Sequence, residues 1–265
     1  MKPDEKTPLT DDSIGASASQ RKADIPSPSP GDGDPHDRTA RLARQIALIG
    51  TEADERLARA SVTVFGAGGV GGAVIEALAR AGVGSITVVD FDVFSVSNLN
   101  RQILCTAAEL GRKKAEVAAQ RVRSVFPDCN VRWIDAFVTA ENADALVTSG
   151  QPEFVCDAVD NVTAKLALIS ACAAHGIPVV SSMGTGNKLD PTRFRIDRID
   201  RTSVCPLARV MRRELKARGL CDTPVLYSTE EPVKTGMRTP ASISFVPSAA
   251  GLILASYIIR RLAQL

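Results

Sequence analysis

A chain of 265 residues with 45% hydrophobic content is long enough to bury a sizeable core, and suits one large α/β domain or one domain with appendages. Its apolar stretches read as shorter than the roughly 20 residues a bilayer span needs, and no apolar signal core follows the first lysine, so the expectation is a cytoplasmic protein without a membrane span. The formal charge of +2 is uneven: residues 1–37 carry eight acidic and four basic side chains, leaving about +6 on the rest, which permits a nucleic-acid partner without requiring one.

Residues 1–37 are rich in Ser, Pro, Gly, Asp and Lys and poor in large apolar residues. Such a segment cannot bury enough surface to offset its ordering entropy, so it is expected to be a disordered tail. A short helix should follow, with Leu42, Ile46, Ala47 and Leu48 on one face and Arg38, Arg41 and Arg44 along another. The run Ser61–Phe65 ends in glycines and precedes a helical pattern over Val70–Ala81. A second strand, Ser85–Asp90, completes a β-α-β unit. Helices over Lys113–Val125, Ala143–Val147 and Ala164–Ala174 then alternate with strands over Val131–Ile134, Phe154–Ala158 and Pro178–Ser182. This alternation predicts a Rossmann-like α/β fold, a doubly wound and mainly parallel sheet covered on both faces, over residues 38–186. Residues 187–265 read as a C-terminal extension for substrate binding and dimerisation. It holds an alternating segment over Phe194–Ile199, a basic helix around Arg209–Arg218, a loop-rich stretch Thr223–Pro247 and a final apolar helix over Ala249–Leu262. Trp133 is expected in the core.

The chemistry begins with the glycines. Gly66, Gly68, Gly69 and Gly71 follow a strand and open a helix, and Asp90 lies nineteen residues beyond Gly71 at the end of the next strand. Glycine admits phosphates close to the backbone, the helix N-terminus offers free N–H groups, and the acid can accept hydrogen bonds from ribose hydroxyls. The glycine motif alone would suit NAD or FAD equally. The cations Arg101 and Lys114, thirteen residues apart just past the ribose acid, instead suit the β- and γ-groups of a triphosphate. A triphosphate also needs Mg²⁺ with a carboxylate ligand.

Asp90-Phe-Asp92, Asn98-Leu-Asn100-Arg101-Gln102, Gly111-Arg112-Lys113-Lys114 and Asp157-Ala-Val-Asp160-Asn161 occur in this order. Together they resemble the adenylation domain shared by ubiquitin-activating enzymes and the bacterial adenylyltransferases of molybdopterin and thiamine biosynthesis. The resemblance implies ATP and Mg²⁺ as cofactors, with Asp90 on the ribose, Asn98, Arg101 and Lys114 on the phosphates, and Asp160 on the metal. It adds Asp92, Gln102 and Asn161 to the nucleotide site. It also implies a homodimer in which an N-terminal arginine, Arg41 or Arg44, reaches the partner subunit's phosphates. Zinc-binding C-x-x-C pairs, common in the bacterial members, are missing here; the six cysteines are scattered and read as buried apolar residues.

Toward the C-terminus, Tyr227-Ser-Thr-Glu230, Ile243-Ser-Phe-Val-Pro247 and Ala250-Gly-Leu252 are similar to the tail of the transfer-RNA threonylcarbamoyladenosine dehydratases, as are Thr39–Leu42 and Gly186–Pro191. That similarity implies ATP-dependent cyclisation of the threonylcarbamoyl group on tRNA. Nine basic against three acidic residues between Arg193 and Arg218 suit an RNA partner, through Arg209, Arg212, Arg213, Lys216 and Arg218. The alternative carboxylate is the C-terminus of a sulfur-carrier or ubiquitin-like protein, with a sulfur-transfer partner and Cys205 as the candidate thiol.

Overall fold

The computed structural model of the chain describes Asp34 and residues 37–265; the expected disordered tail lies almost wholly outside the described residues. Helix α1 (Arg38–Ile49) starts at Asp37, whose carboxylate accepts the N–H groups of Thr39 and Ala40, and Gly50 ends it. Its inner face is Leu42, Ala43, Ile46 and Ile49. Ala47 and Leu48, expected on that face, point outward, Leu48 with 85% of its surface exposed, because Gly50 redirects the chain into a second helix. That helix, α2 (Thr51–Arg59), has a mostly polar sequence that gave little apolar signal; only Ala53, Asp54 and Leu57 are buried.

One seven-stranded sheet follows. It contains β1 (Ser61–Phe65), β2 (Ser85–Val89), β3 (Asn130–Ile134), β4 (Phe154–Asp157), β5 (Val179–Ser182), β6 (Phe194–Arg198) and β7 (Pro224–Ser228), in the order β3-β2-β1-β4-β5-β7-β6. All neighbours are parallel except the edge pair, where β6 runs antiparallel to β7. The chain steps outward from β1 to β3 and then returns to β4 on the other side. The ends of β1 and β4 therefore splay apart and leave the crevice where such sheets bind ligands.

Helices α3 (Gly69–Arg80), α4 (Lys114–Val125) and α8 (Phe245–Ala263) share one apolar cluster with Val62, Val64, Ile86 and Val88 of the sheet. Helices α5 (Ala143–Thr148) and α6 (Val162–Ala174) cluster around Phe65, Val89 and Val155. Helix α7 (Pro206–Ala217) closes a third cluster through Met211 and Leu215. Strands buried on both faces carry near-continuous apolar runs, the pattern that marked β1, β2 and β4 in the sequence.

Residues 187–265 continue this architecture, since β7 pairs with β5 and α8 packs along α3. Strand β7 was hidden in a stretch read as loop: its apolar residues Val225 and Leu226 are few and stand between proline-, serine- and threonine-rich flanks. Helix α8 has 19 residues with a mean hydropathy of 1.3, long and apolar enough by length and composition to cross a membrane, contrary to the sequence expectation. Val246, Ala250, Leu254 and Ile258 are fully buried in the core, which accounts for its apolar character. Trp133, expected inside, is 40% exposed, because β3 is an edge strand.

Candidate active site

A cavity of about 730 Å³ opens over the ends of β1, β2, β4 and β5. Its floor is the β1–α3 turn. Gly66 has φ +90°, a conformation costly for other residues, and a Cβ there would meet the Ala158 carbonyl oxygen at 2.8 Å. A Cβ on Gly71 would lie 1.7 Å from the Gly66 carbonyl oxygen, so this glycine lets α3 start tight against the strand. Gly66, Gly68 and Gly69 line the cavity; Gly71 lies behind them and serves the packing. The start of α3 thus presents free backbone N–H groups to whatever occupies the floor.

Asp90 is buried at the end of β2. Its carboxylate accepts the Ala67 N–H at 2.6 Å and the Asp92 N–H at 2.8 Å, so it holds the glycine turn while still lining the cavity. Burial pushes its pKa above the ordinary aspartate value, against the lowering effect of those two N–H groups and of Lys114. Lys114, at the start of α4, is buried and reaches Asp92 at 3.0 Å. Both line the cavity, and Asp92 stands where an anion would draw Lys114 away from it.

Arg101 and Gln102 line the same wall. The Arg101 guanidinium donates to the Ser97 carbonyl at 2.6 Å and to Asn100 Oδ1 at 3.0 Å. Gln102 is buried, with its Nε2 on the Gly68 side, and its Oε1 has no hydrogen-bond partner. Asn98, expected on the phosphates, does not line the cavity. Its Oδ1 accepts the Ser95 N–H and its carbonyl accepts the N–H groups of Arg101 and Gln102, so it builds the turn that carries those two residues.

At the opposite rim, Asp160 is exposed, lines the cavity and makes no hydrogen bond or ion pair with another described residue. The cap of α6 is Asn161, whose Oδ1 accepts the Ala164 N–H at 3.0 Å; that leaves the neighbouring Asp160 carboxylate uncommitted. Asp157, from the same motif, is fully buried against Lys165.

Helix α1 treats its arginines differently. Arg41 lies over the Phe126 ring, 4.1 Å from its centroid, and pairs with Asp128, while Arg38 bonds Asp54 and the Gly82 carbonyl. Both are fastened within their own chain, Arg41 beyond the end of α4 and Arg38 on α2. Arg44 is exposed without a partner among the described residues. None of the three lines the cavity of its own chain. On α7, Arg212 is spent on Thr202, and Arg213 and Arg218 pair with Glu214, which leaves Arg209 and Lys216 as its free cations. Five cysteines are buried, Cys205 among them, and Cys221 is half-buried.

Several cavity residues were assigned no role by the motifs that contain or flank them. Phe91 and Phe137 form an edge-to-face pair, centroids 4.8 Å apart, beyond the ends of β2 and β3. Ser182–Gly186, Thr239, Pro240 and Ser242 form the far wall, where two segments distant in sequence meet. Asn187 joins these segments, exchanging hydrogen bonds of 2.7 Å with the Ala241 N–H and carbonyl. Only position after a strand end could have hinted at Phe137; the meeting of the two wall segments needs the tertiary fold.

Fold and cavity together define an α/β protein of the nucleotide-binding type, with a cavity that runs from an aromatic pair, over a helix N-terminus flanked by two cations, to a lone carboxylate. The chain belongs to the ThiF family, whose model matches residues 42–265. It is 35% identical over 242 residues to the tRNA threonylcarbamoyladenosine dehydratase of Bacillus subtilis, covering 84% of this chain and 95% of that protein. The solved structure of the Escherichia coli tRNA N6-threonylcarbamoyladenosine dehydratase in complex with ATP superimposes with a TM-score of 0.80 at 35% identity, over 85% of this chain and 95% of that one. The sulfur carrier protein adenylyltransferase of Thermus thermophilus is 40% identical over 142 residues, 53% of this chain and 52% of that protein.

Proposed function

We propose that this chain is an ATP-dependent tRNA threonylcarbamoyladenosine dehydratase. The observation that carries the reading is the reach of the likeness: it follows the dehydratases through 84–85% of the chain, whereas the likeness to the sulfur-carrier enzyme covers 53%.

In this reading the adenine lies by Phe91 and Phe137, Asp90 accepts from the ribose, and the phosphates run over Gly66–Gly69 toward Arg101 and Lys114. The threonyl carboxylate attacks the α-phosphorus, the bond to the β-phosphate breaks, and pyrophosphate leaves. The ureido oxygen of the same side chain then attacks the activated carbonyl carbon. AMP leaves with the carboxylate oxygen, and loss of the ureido N–H proton completes the oxazolone ring. Nucleophile and electrophile belong to one tethered group, so no enzyme nucleophile is needed, consistent with five of six cysteines being buried. The enzyme's own work is positioning and charge: Lys114 and Arg101 face the leaving pyrophosphate, and backbone N–H groups face the α-phosphate.

No cluster of three or more His, Cys, Asp or Glu side chains able to hold a metal occurs among the described residues. That suits Mg²⁺, which is held by one or two carboxylates together with substrate phosphates, and Asp160, free and facing the cavity, is the carboxylate that fits. Bound there, the ion would offset charge building on the phosphates. Arg44 rather than Arg41 is the arginine free to reach a partner subunit's site in a homodimer, and we place the enzyme in the cytoplasm, where tRNA is modified. Incubation with Mg²⁺-ATP and tRNA bearing threonylcarbamoyladenosine should convert that nucleoside to a species one water lighter by mass spectrometry, with AMP formed in step; an unchanged nucleoside beside active ATP turnover would favour a carrier-protein substrate.

A further inference from the structure

Beneath the rim that carries Asp160 lies a charged network that touches neither solvent nor cavity. Asp157 at the end of β4, Ser181 in β5 and Lys165 in α6 are 0–1% exposed. Lys165 Nζ donates to both Asp157 oxygens at 3.2 and 3.1 Å and to Ser181 Oγ at 3.4 Å; Ser181 Oγ donates to Asp157 Oδ2 at 2.6 Å. Asp157 Oδ1 also accepts the Val159 N–H at 3.1 Å. An ion pair this deep contributes little net stability, because desolvation cancels much of the attraction, and an apolar pair of similar volume often serves the fold as well. Stability alone therefore gives weak grounds for placing two charges there.

The network ties together, at the end nearest the rim, three elements that also pack directly on one another: β4 pairs with β5, and α6 lies against both. Asp157 precedes the turn Ala158-Val159-Asp160-Asn161 and holds its second N–H, while Lys165 anchors the first turn of α6, which Asn161 caps. Ser181 stands at the end of β5 that leads into Ser182–Gly186. We propose that Asp157, Lys165 and Ser181 are positioning residues: their buried network sets the Asp160 turn against the Ser182–Gly186 wall, and so fixes the α-phosphate end of the site relative to the acyl group. The idea rests on the adenylation reading of the cavity. None of the three side chains lines the cavity, so they act on alignment. Nucleotide capture depends instead on the glycine turn, Asp90 and Lys114.

The test is the isosteric double variant D157N/K165M, with S181A beside it, measured in the full-length protein. The introduced asparagine keeps an acceptor for the Val159 N–H and the introduced methionine fills the lysine's volume, so the fold should survive. Two readouts are taken: amide hydrogen exchange over residues 158–164, and steady-state AMP formation with tRNA substrate at varied ATP. We expect faster exchange in that segment and a kcat lowered on the order of 10²-fold by misalignment, with KM for ATP within about threefold. S181A, losing one donor, should move both readouts in the same direction by a smaller factor. Unchanged exchange, or faster exchange with an unchanged kcat, overturns the proposal. Should the double variant not fold, S181A decides it by the same two criteria. A wild-type protein that forms no AMP would instead refute the adenylation reading, which exchange alone does not test.

Discussion

Replacing Lys114 with Met separates the charge of the cavity from the stability of the fold. The side chain is buried, so methionine of similar volume fills its place. Its partner Asp92 keeps 49% of its side chain exposed, so the lost ion pair, 3.0 Å long, should cost less than about 1 kcal/mol. For a domain of this size that shifts Tm by no more than about 4 °C. The catalytic loss should be far larger, because Lys114 is one of two cations lining the cavity over the glycine turn. Removing one such stabilising donor costs on the order of 10²–10³-fold in kcat, about 3–4 kcal/mol of transition-state stabilisation. The assay is pyrophosphate release under saturating tRNA substrate, with thermal unfolding followed on the same preparation. A kcat within threefold of wild type at an unchanged Tm would refute the placement of the phosphates against Lys114.

On α1, Arg41→Ala should lower Tm, because it removes the stacking on Phe126 and the pair with Asp128, whereas Arg44→Ala should leave Tm unchanged and lower kcat on the order of 10-fold or more; the reverse pattern would contradict the assignment. Brief iodoacetamide treatment of the native protein at pH 8 should label Cys221 and spare the other five, since these are buried and burial pushes the Cys129 thiol up to about 11; peptide mass spectrometry showing early labelling of Cys205 would reopen the thiol-based reading. Asp90 should titrate above 3.8 in a carboxyl NMR titration of the folded protein, with a value at or below 3.8 as the contrary result. Because its folded-state pKa is raised, the folded protein holds this proton more tightly than the unfolded chain. Its contribution to stability is therefore present below pH 3.8 and is lost as the pH rises through the folded value.

The sequence was most legible where one local signal sufficed. Apolar runs buried on both faces marked β1, β2 and β4 to within a residue, and glycines between a strand and a helix marked the floor of the cavity. Where two signals compete it was less so. Strand β7 is short and flanked by turn formers, and α2 is polar on most of its surface, so neither stands out by periodicity. Side-chain commitments are tertiary facts: the helical spacing of Arg38, Arg41 and Arg44 says nothing of Phe126 and Asp54, which secure the first two. Asn98 shows the same limit, since the motif marks the right turn but not that its side chain is spent on Ser95. Lys165 passed unremarked because a lysine in a helix normally faces solvent, and only the fold reveals Asp157 beside it.

Attack of the threonyl carboxylate on ATP is the step on which the proposed chemistry depends. It is tested most directly with tRNA whose threonylcarbamoyl carboxylate carries oxygen-18, incubated with the enzyme and Mg²⁺-ATP for a single turnover. Acyl-adenylate formation followed by ring closure predicts that one heavy oxygen leaves on AMP while the other stays in the ring carbonyl, and that Asp160→Ala suppresses both the labelled AMP and the loss of water from the nucleoside. Heavy oxygen found in orthophosphate or in the solvent, with unlabelled AMP, would contradict that order of events.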